Sequence, residues 1–406
     1  MFQDTLMQLP REPLTTTIEP FTRSTPLELG SSIRNARASW TVMVYMSSDS
    51  LEEFALQDFL EMSAIGSTQN VNIVVQCDRT NGLSNAHSDW TDTRRGMIRR
   101  GDKPDAAWGT SIGEVNMGDV NTLGSFVNWG MSNYQADQYA LVLWGHGSGF
   151  DVSIDENTRD GINARELNHV LQTAIDSVDL VGSDACLMGM MEFAYEVRNS
   201  ASVFVGSQEL EPGTGWDYTS ILGDLVSSPM LSAAQFGADI VYRYAQTYQG
   251  SNNGVEETLS AIDLSALRHN SAGSLSNALS HFAQTVMDWA TSYDLSRIDA
   301  YRDYFTGSFG LDNDPISSNY CDIGNFFGSI ANDNYFSSSI RTAATWVAQS
   351  LNQAVISNFS ASPGRSTGLS IYFSDRGVYP ERTYNSNNLS FAANTRWDDL
   401  LNWQQW

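Results

Sequence analysis

A histidine between two glycines, Gly145-His146-Gly147, and a cysteine two residues past an aspartate, Asp184-Ala185-Cys186, have the types and settings that nucleophilic chemistry requires. A thiol is a strong nucleophile only as its thiolate, and a nearby imidazole takes or offsets that proton at neutral pH. Gly147 contributes by lacking a side chain. A substrate carbonyl can approach the backbone there, and the N–H groups of Gly147 and Cys186 can together form an oxyanion hole. The alternative is structural, with His146 capping a strand and Cys186 buried as a small hydrophobe, the usual state of a free cysteine.

The elements around these residues decide whether they meet. Tyr139 to Trp144 and Val178 to Ser183 are short apolar runs bounded by glycines, which predicts two buried strands. Between them Ile162 to Ile175 has helical spacing, with Ile162, Leu167, Val170, Leu171 and Ala174 on one side. Strand, helix and strand in that order predict a parallel pair, with His146 and Cys186 leaving it on the same rim. In open α/β sheets that rim holds the ligand. Leu187 to Val197 is expected to be a helix starting directly after the cysteine, its N-terminal dipole favouring the thiolate. Asp184, two residues before Cys186 at an extended strand end, shares its face and can floor a pocket beside the thiol. A half-buried carboxylate there suits a cation, and arginine offers a planar, bidentate one. Capping the following helix is the other use of such an aspartate.

Trp40-Thr-Val-Met-Val-Tyr-Met46, Trp144-Gly-His-Gly147, Ser183-Asp-Ala-Cys-Leu-Met188 and the stretch from Gly206 to Tyr218 occur in an order and spacing that resemble the clostripain family of cysteine endopeptidases. The resemblance covers roughly Trp40 to the C-terminus. It implies a caspase-like αβα sandwich around a mostly parallel sheet, a Cys186–His146 dyad and cleavage after arginine, then lysine. It also implies a second acidic residue in the pocket near position 214, which is threonine here. Glu209, Glu211 and Asp217 of the loop from Gln208 to Tyr218 are the carboxylates able to serve. Relatives of this kind are cut into two chains that stay associated. Asp155 to Gly161 is expected as an exposed loop above the rim, with Arg159 as the autocleavage site and Arg165 disfavoured within its predicted helix. Such proteins are usually extracellular or periplasmic, although no signal peptide is visible at the start of this chain.

The rest of the sequence bounds these expectations. Its 406 residues suffice for one large domain or two ordinary ones, and 41% hydrophobic content with 11 tryptophans supports a packed core. We read residues 1–38, with Pro10, Pro13, Pro20 and Pro26, as an extension or pro-segment, 39–263 as the catalytic domain, and 264–406 as a smaller, mainly helical subdomain with a late strand at Gly368 to Phe373. A net charge of -25 argues against nucleic acid as a partner, and no apolar run is long enough to span a bilayer. Lys103 is the only lysine, a composition suited to salty surroundings. Three cysteines, Cys77, Cys186 and Cys321, cannot build a disulfide framework. The five histidines have no metal-ligand spacing, so no metal is expected at the chemistry; Asp312-Asn313-Asp314 offers oxygens to at most a stabilising calcium ion. The partner implied is a peptide or protein substrate. A catalytically silent scaffold on this fold and a thiol-dependent amidase of small molecules are the competing functions.

Overall fold

A computed structural model of the protein describes residues 37–80, 83–250, 257–269, 271, 273–306, 319–376 and 384–403. The chain builds β1 (Ala38–Ser47), α1 (Glu52–Ile65), β2 (Val71–Asp78), β3 (Thr93–Met97), β4 (Thr110–Gly113), α2 (Val120–Asn133) and β5 (Ala136–Trp144). A hairpin follows, β6 (Asp151–Asp155) and β7 (Asp160–Asn163), then α3 (Ala164–Thr173), β8 (Leu180–Asp184), α4 (Met191–Val197) and β9 (Val203–Gly206). Next come α5 (Tyr218–Ser227), α6 (Ala233–Tyr248) and β10 (Thr258–Asp263). The remainder is α7 (Leu275–Trp289), α8 (Ser292–Thr306), β11 (Tyr320–Asp322), α9 (Ile323–Asn332), α10 (Ser338–Ala354), β12 (Val355–Ser360), β13 (Ser370–Tyr372), α11 (Ser390–Asn394) and α12 (Trp397–Trp403).

Nine strands form one sheet in the order β12-β10-β9-β8-β5-β1-β2-β3-β4. The five central strands run parallel, and antiparallel pairs close both ends. Central parallel strands are covered on both faces, which is why their sequences are continuous apolar runs whose alternate residues serve different cores. In β1, Met43 and Tyr45 face one cluster with α2, α3 and α4, while Trp40, Val42, Val44 and Met46 face another with α1, α5 and α6. β5 divides the same way, Leu141 and Leu143 against Ala140, Val142 and Trp144. The result is an αβα sandwich, as expected.

From β1 the chain first adds β2 on one side and later β5 on the other, so β1 and β5 mark the switch point of the sheet. In open α/β sheets the crevice that binds ligands lies at such a point, beyond the carboxyl ends of the strands. The residues after β1, β5 and β8 therefore share one rim.

Residues past 264 pack on the same sheet. β12 pairs with β10 at the edge, and α7, α9 and α10 join the cluster that holds α2 to α4. The late strand β13 pairs with β11 in a separate two-stranded sheet. This region also braces the histidine loop. Tyr320 donates its hydroxyl to the Ser148 carbonyl at 2.5 Å, and Phe150 packs edge-on against Tyr320, Tyr372 and Tyr384. No helix among the described residues is long and apolar enough to cross a membrane.

Candidate active site

β5 and β8 pair in register with Trp144 opposite Asp184, so His146 and Cys186 each stand two residues beyond the same rung. The segments remain in contact past the strands. Gly145 N–H donates to the Asp184 carbonyl at 3.3 Å, and a Cβ built on Gly147 would lie 2.4 Å from the Cys186 carbonyl and 3.0 Å from Met188 Sδ. Only glycine fits where the two backbones approach that closely. Gly147 also forms a bridge with Val152, which ties the histidine loop to the β6–β7 hairpin.

The helix expected directly after Cys186 starts later, at Met191. Between them the chain makes an elbow, with Leu187 in the left-handed region at φ +65 and its N–H on the Glu209 carbonyl at 2.9 Å. Gly189 N–H donates to the Ser207 carbonyl at 2.6 Å, so the loop after β9 holds the elbow open. The thiol therefore does not sit at the N-terminus of that helix, where its dipole would favour the thiolate. Burial pushes the half-buried Cys186 thiol up, and the nearby Asp184 charge adds to this; the Glu211 N–H, 3.3 Å from Sγ, opposes both. Cys77 lies within β2, and Cys321 within β11. Burial raises both thiols, which leaves them protonated and inert.

Beside Cys186 the buried Asp184 accepts the Tyr218 hydroxyl at 2.8 Å and the Trp216 N–H at 3.4 Å. Burial raises its carboxyl to about 6, against those hydrogen bonds. Of the three loop carboxylates, Glu211 comes to Asp184. Burial first, and then the charges of Asp184 and Cys186, hold it well above the usual range, and no donor in normal hydrogen-bond geometry reaches either of its oxygens among the described residues. Asp217 is instead the N-cap of α5, accepting Ser220 N–H at 2.9 Å. Glu209 is buried at the elbow, where its N–H donates to Thr258 Oγ1 at 3.1 Å. Asp58 adds a third buried carboxyl, raised by burial and by Asp184, with Trp144 Nε1 donating to it at 2.8 Å. Tyr248 completes the wall through its hydroxyl on the Gly215 carbonyl at 2.7 Å.

On the other side of the thiol, Asp155 to Gly161 is a tight hairpin rather than an open loop, with only residues 156–159 in the turn. Arg159 is exposed there, at φ +58. Arg165 lies in α3, which starts at Ala164 because Asn163 and Glu166 form a capping box; Ile162 belongs to β7. Asp49, in the turn before α1, does not cap that helix. Asp49 sits at φ +28 and accepts the Glu156 N–H at 2.7 Å and the Asn157 side-chain amide at 3.1 Å. Glu156, which sequence reasoning passed over, stands 3.3 Å from His146 Nε2, and Ser50 Oγ is 2.9 Å from the same nitrogen. The Ser-Ser-Asp-Ser run that ends β1 at a rim was the available signal.

Asp312-Asn313-Asp314 lies outside the described residues. Among those described, no group of three or more His, Cys, Asp or Glu side chains is placed to hold a metal ion.

The profile of the clostripain family matches residues 44–406. The chain belongs to the clostripain family. It is 30% identical over 259 residues to clostripain of Hathewaya histolytica, a match covering 56% of this chain and 46% of that protein, so less than half of the relative's length is spanned. Among solved structures, a secreted C11 cysteine protease from Bacteroides thetaiotaomicron in complex with an irreversible peptide inhibitor superposes with a TM-score of 0.64 at 23% identity, over 89% of this chain and 100% of that one. An inactive zymogen C11 protease from Parabacteroides distasonis gives 0.56 at 19% identity, over 84% and 93%. At these identities the structural likeness concerns the fold, which is that of the C11 proteases.

Proposed function

We propose that the protein is a cysteine endopeptidase that cleaves after arginine, and less readily after lysine, with Cys186 as nucleophile and His146 as general acid and base. The observation that carries this reading is the shared rung of β5 and β8, which sets the histidine loop against the backbone of Cys186 with two buried carboxylates beside the thiol. His146 takes the thiol proton, and Sγ attacks the peptide carbonyl carbon. The N–H groups of Gly147 and Cys186 receive the developing oxyanion, and protonated His146 gives its proton to the leaving amine. Water then hydrolyses the acyl-enzyme, His146 acting as base. Burial raises the thiol, so its deprotonation is the task this reading gives to His146.

The substrate cation is taken by Asp184 and Glu211. Crowded and buried together, they favour a shared proton until a guanidinium or ammonium enters; a planar guanidinium bonds two carboxylates at once, which ranks arginine first. Self-processing after Arg159 follows from the same preference. Its turn is exposed, but extended binding in a cleft requires the hairpin to open.

The test is a peptide library and an intact-mass measurement on wild type and Cys186→Ala prepared side by side. The expected results are cleavage after arginine and a break after Arg159 in wild type alone. Cleavage centred on aspartate or on large apolar residues contradicts the pocket assignment, and a break in both proteins assigns the cut to another protease.

A further inference from the structure

We propose that Glu156, acting with Ser50, is the positioning residue that orients the His146 ring and fixes its tautomer, so that Nδ1 is the nitrogen that exchanges protons with Cys186 and the leaving group. The inference rests on the Cys186–His146 reading above.

Three atoms close a small ring of contacts. Ser50 Oγ lies 2.8 Å from Glu156 Oε1 and 2.9 Å from His146 Nε2, and Glu156 Oε1 lies 3.3 Å from Nε2. An ionised carboxylate has no proton to give, so the single hydroxyl proton of Ser50 is spent on Glu156. Oγ then presents only lone pairs to the imidazole. Nε2 must therefore be the protonated nitrogen, donating towards Oγ and Oε1, and in the neutral ring Nδ1 carries the lone pair that a general base needs. When Nδ1 accepts the thiol proton, the imidazolium that forms is already facing a carboxylate. Glu156 is ionised in readiness for it, because the hydrogen bond with His146 holds its carboxyl below the usual range and outweighs the burial that opposes it.

The support behind Glu156 is rigid. Its N–H is held by Asp49 Oδ2, the next residue's side-chain amide by Asp49 Oδ1, and Thr158 N–H by Asp155 Oδ1 at 2.8 Å. Asp49 is itself buried and kept at a positive φ, a conformation that costs a non-glycine residue energy and persists only where surrounding contacts impose it. The left-handed turn after β1 thus aims Asp49 at the hairpin, and Ser50 at the imidazole. A cut after Arg159 falls three residues beyond Glu156, so Glu156 stays on the same chain as His146, and the Asp49 contacts survive processing.

The experiment measures kcat, KM and Tm for wild type, Glu156→Gln, Glu156→Ala, Glu156→Asp and Ser50→Ala on one arginyl peptide, with Cys186→Ala alongside. Loss of an outer partner that orients a metal-bound imidazole costs about 10- to 100-fold, and the same scale is expected for this ring. Glu156→Gln and Glu156→Ala are expected to lower kcat by that factor with KM and Tm essentially unchanged, while Glu156→Asp, which keeps the charge, recovers part of the loss and Ser50→Ala loses less. Wild-type kcat in both Glu156→Gln and Glu156→Ala overturns the inference, as does a fall in kcat that comes only with a parallel fall in Tm. Residual turnover near the wild-type rate in Cys186→Ala overturns the dyad reading itself, and is thereby distinguished from failure at Glu156 alone.

Discussion

Carboxylates stand on both sides of the thiol and imidazole, and the fold shifts Glu156 and the pocket carboxylates in opposite directions. Glu156, partly open to water and facing an imidazole, is held below the usual range. Asp184, Glu211 and Asp58, buried among tyrosines and tryptophans and facing one another, are all pushed above it. In the proposed mechanism the same group is thus a permanent anion where it faces the imidazole that takes up the thiol proton, and a stored proton site where the cation arrives with the substrate. Burial favours the neutral form and opposite charge favours the ion, and which one dominates is decided by what the surrounding elements supply.

The largest expected effect comes from removing what lies between the two sides. His146→Ala should reduce kcat by orders of magnitude, and Cys186→Ala should abolish turnover while leaving Tm unchanged. If the pair acts as a unit, as proposed, the double variant should be hardly worse than Cys186→Ala alone. Additive losses in steady-state kinetics would show that the two residues act separately.

A smaller effect is expected on the pocket side. Asp184→Asn keeps the shape but removes a charge that meets the substrate cation in a desolvated site, costing on the order of 2 to 5 kcal/mol in kcat/KM for arginyl peptides. Peptides with a neutral residue at that position should lose far less. Equal losses for both would make Asp184 a structural residue.

The smallest effect sharpens the comparison without substrate. Asp184 has a folded-state carboxyl near 6, above its ordinary 3.8, so the folded chain holds this proton more tightly than the unfolded one. Its contribution to stability is fully present below pH 3.8 and is lost as pH rises through about 6, a penalty on the order of 1 to 3 kcal/mol at neutral pH. Asp184→Asn should therefore raise Tm at pH 7.5 and leave it unchanged at pH 4. A variant less stable than wild type at pH 7.5 would mean that the aspartate is ionised and stabilising there.

The contrast also separates what the sequence made legible from what it did not. The buried strands, the shared rim of His146 and Cys186, and the αβα layering were readable because apolar runs and their glycine boundaries are local signals. The pocket was half readable: Asp184 lies two residues from Cys186, but choosing Glu211 over Glu209 and Asp217 required the path of the loop. On the Glu156 side the Ser-Ser-Asp-Ser run was the one signal, and it did not point to Glu156. Its bond to Asp49 joins residues 107 apart, and it depends on a positive φ at Asp49. The misplaced helix start after Cys186 has the same origin, since a positive φ at Leu187 leaves no mark in residue type.

The central claim is that Cys186 is the nucleophile of a site that selects a basic side chain. Its most direct test is covalent labelling with an arginyl peptide ketone, followed by peptide mapping. One adduct per chain, on Cys186, slowed by His146→Ala and by Asp184→Asn, is the predicted result. An adduct on Cys77 or Cys321, or labelling of Cys186 that is indifferent to both substitutions, would contradict it.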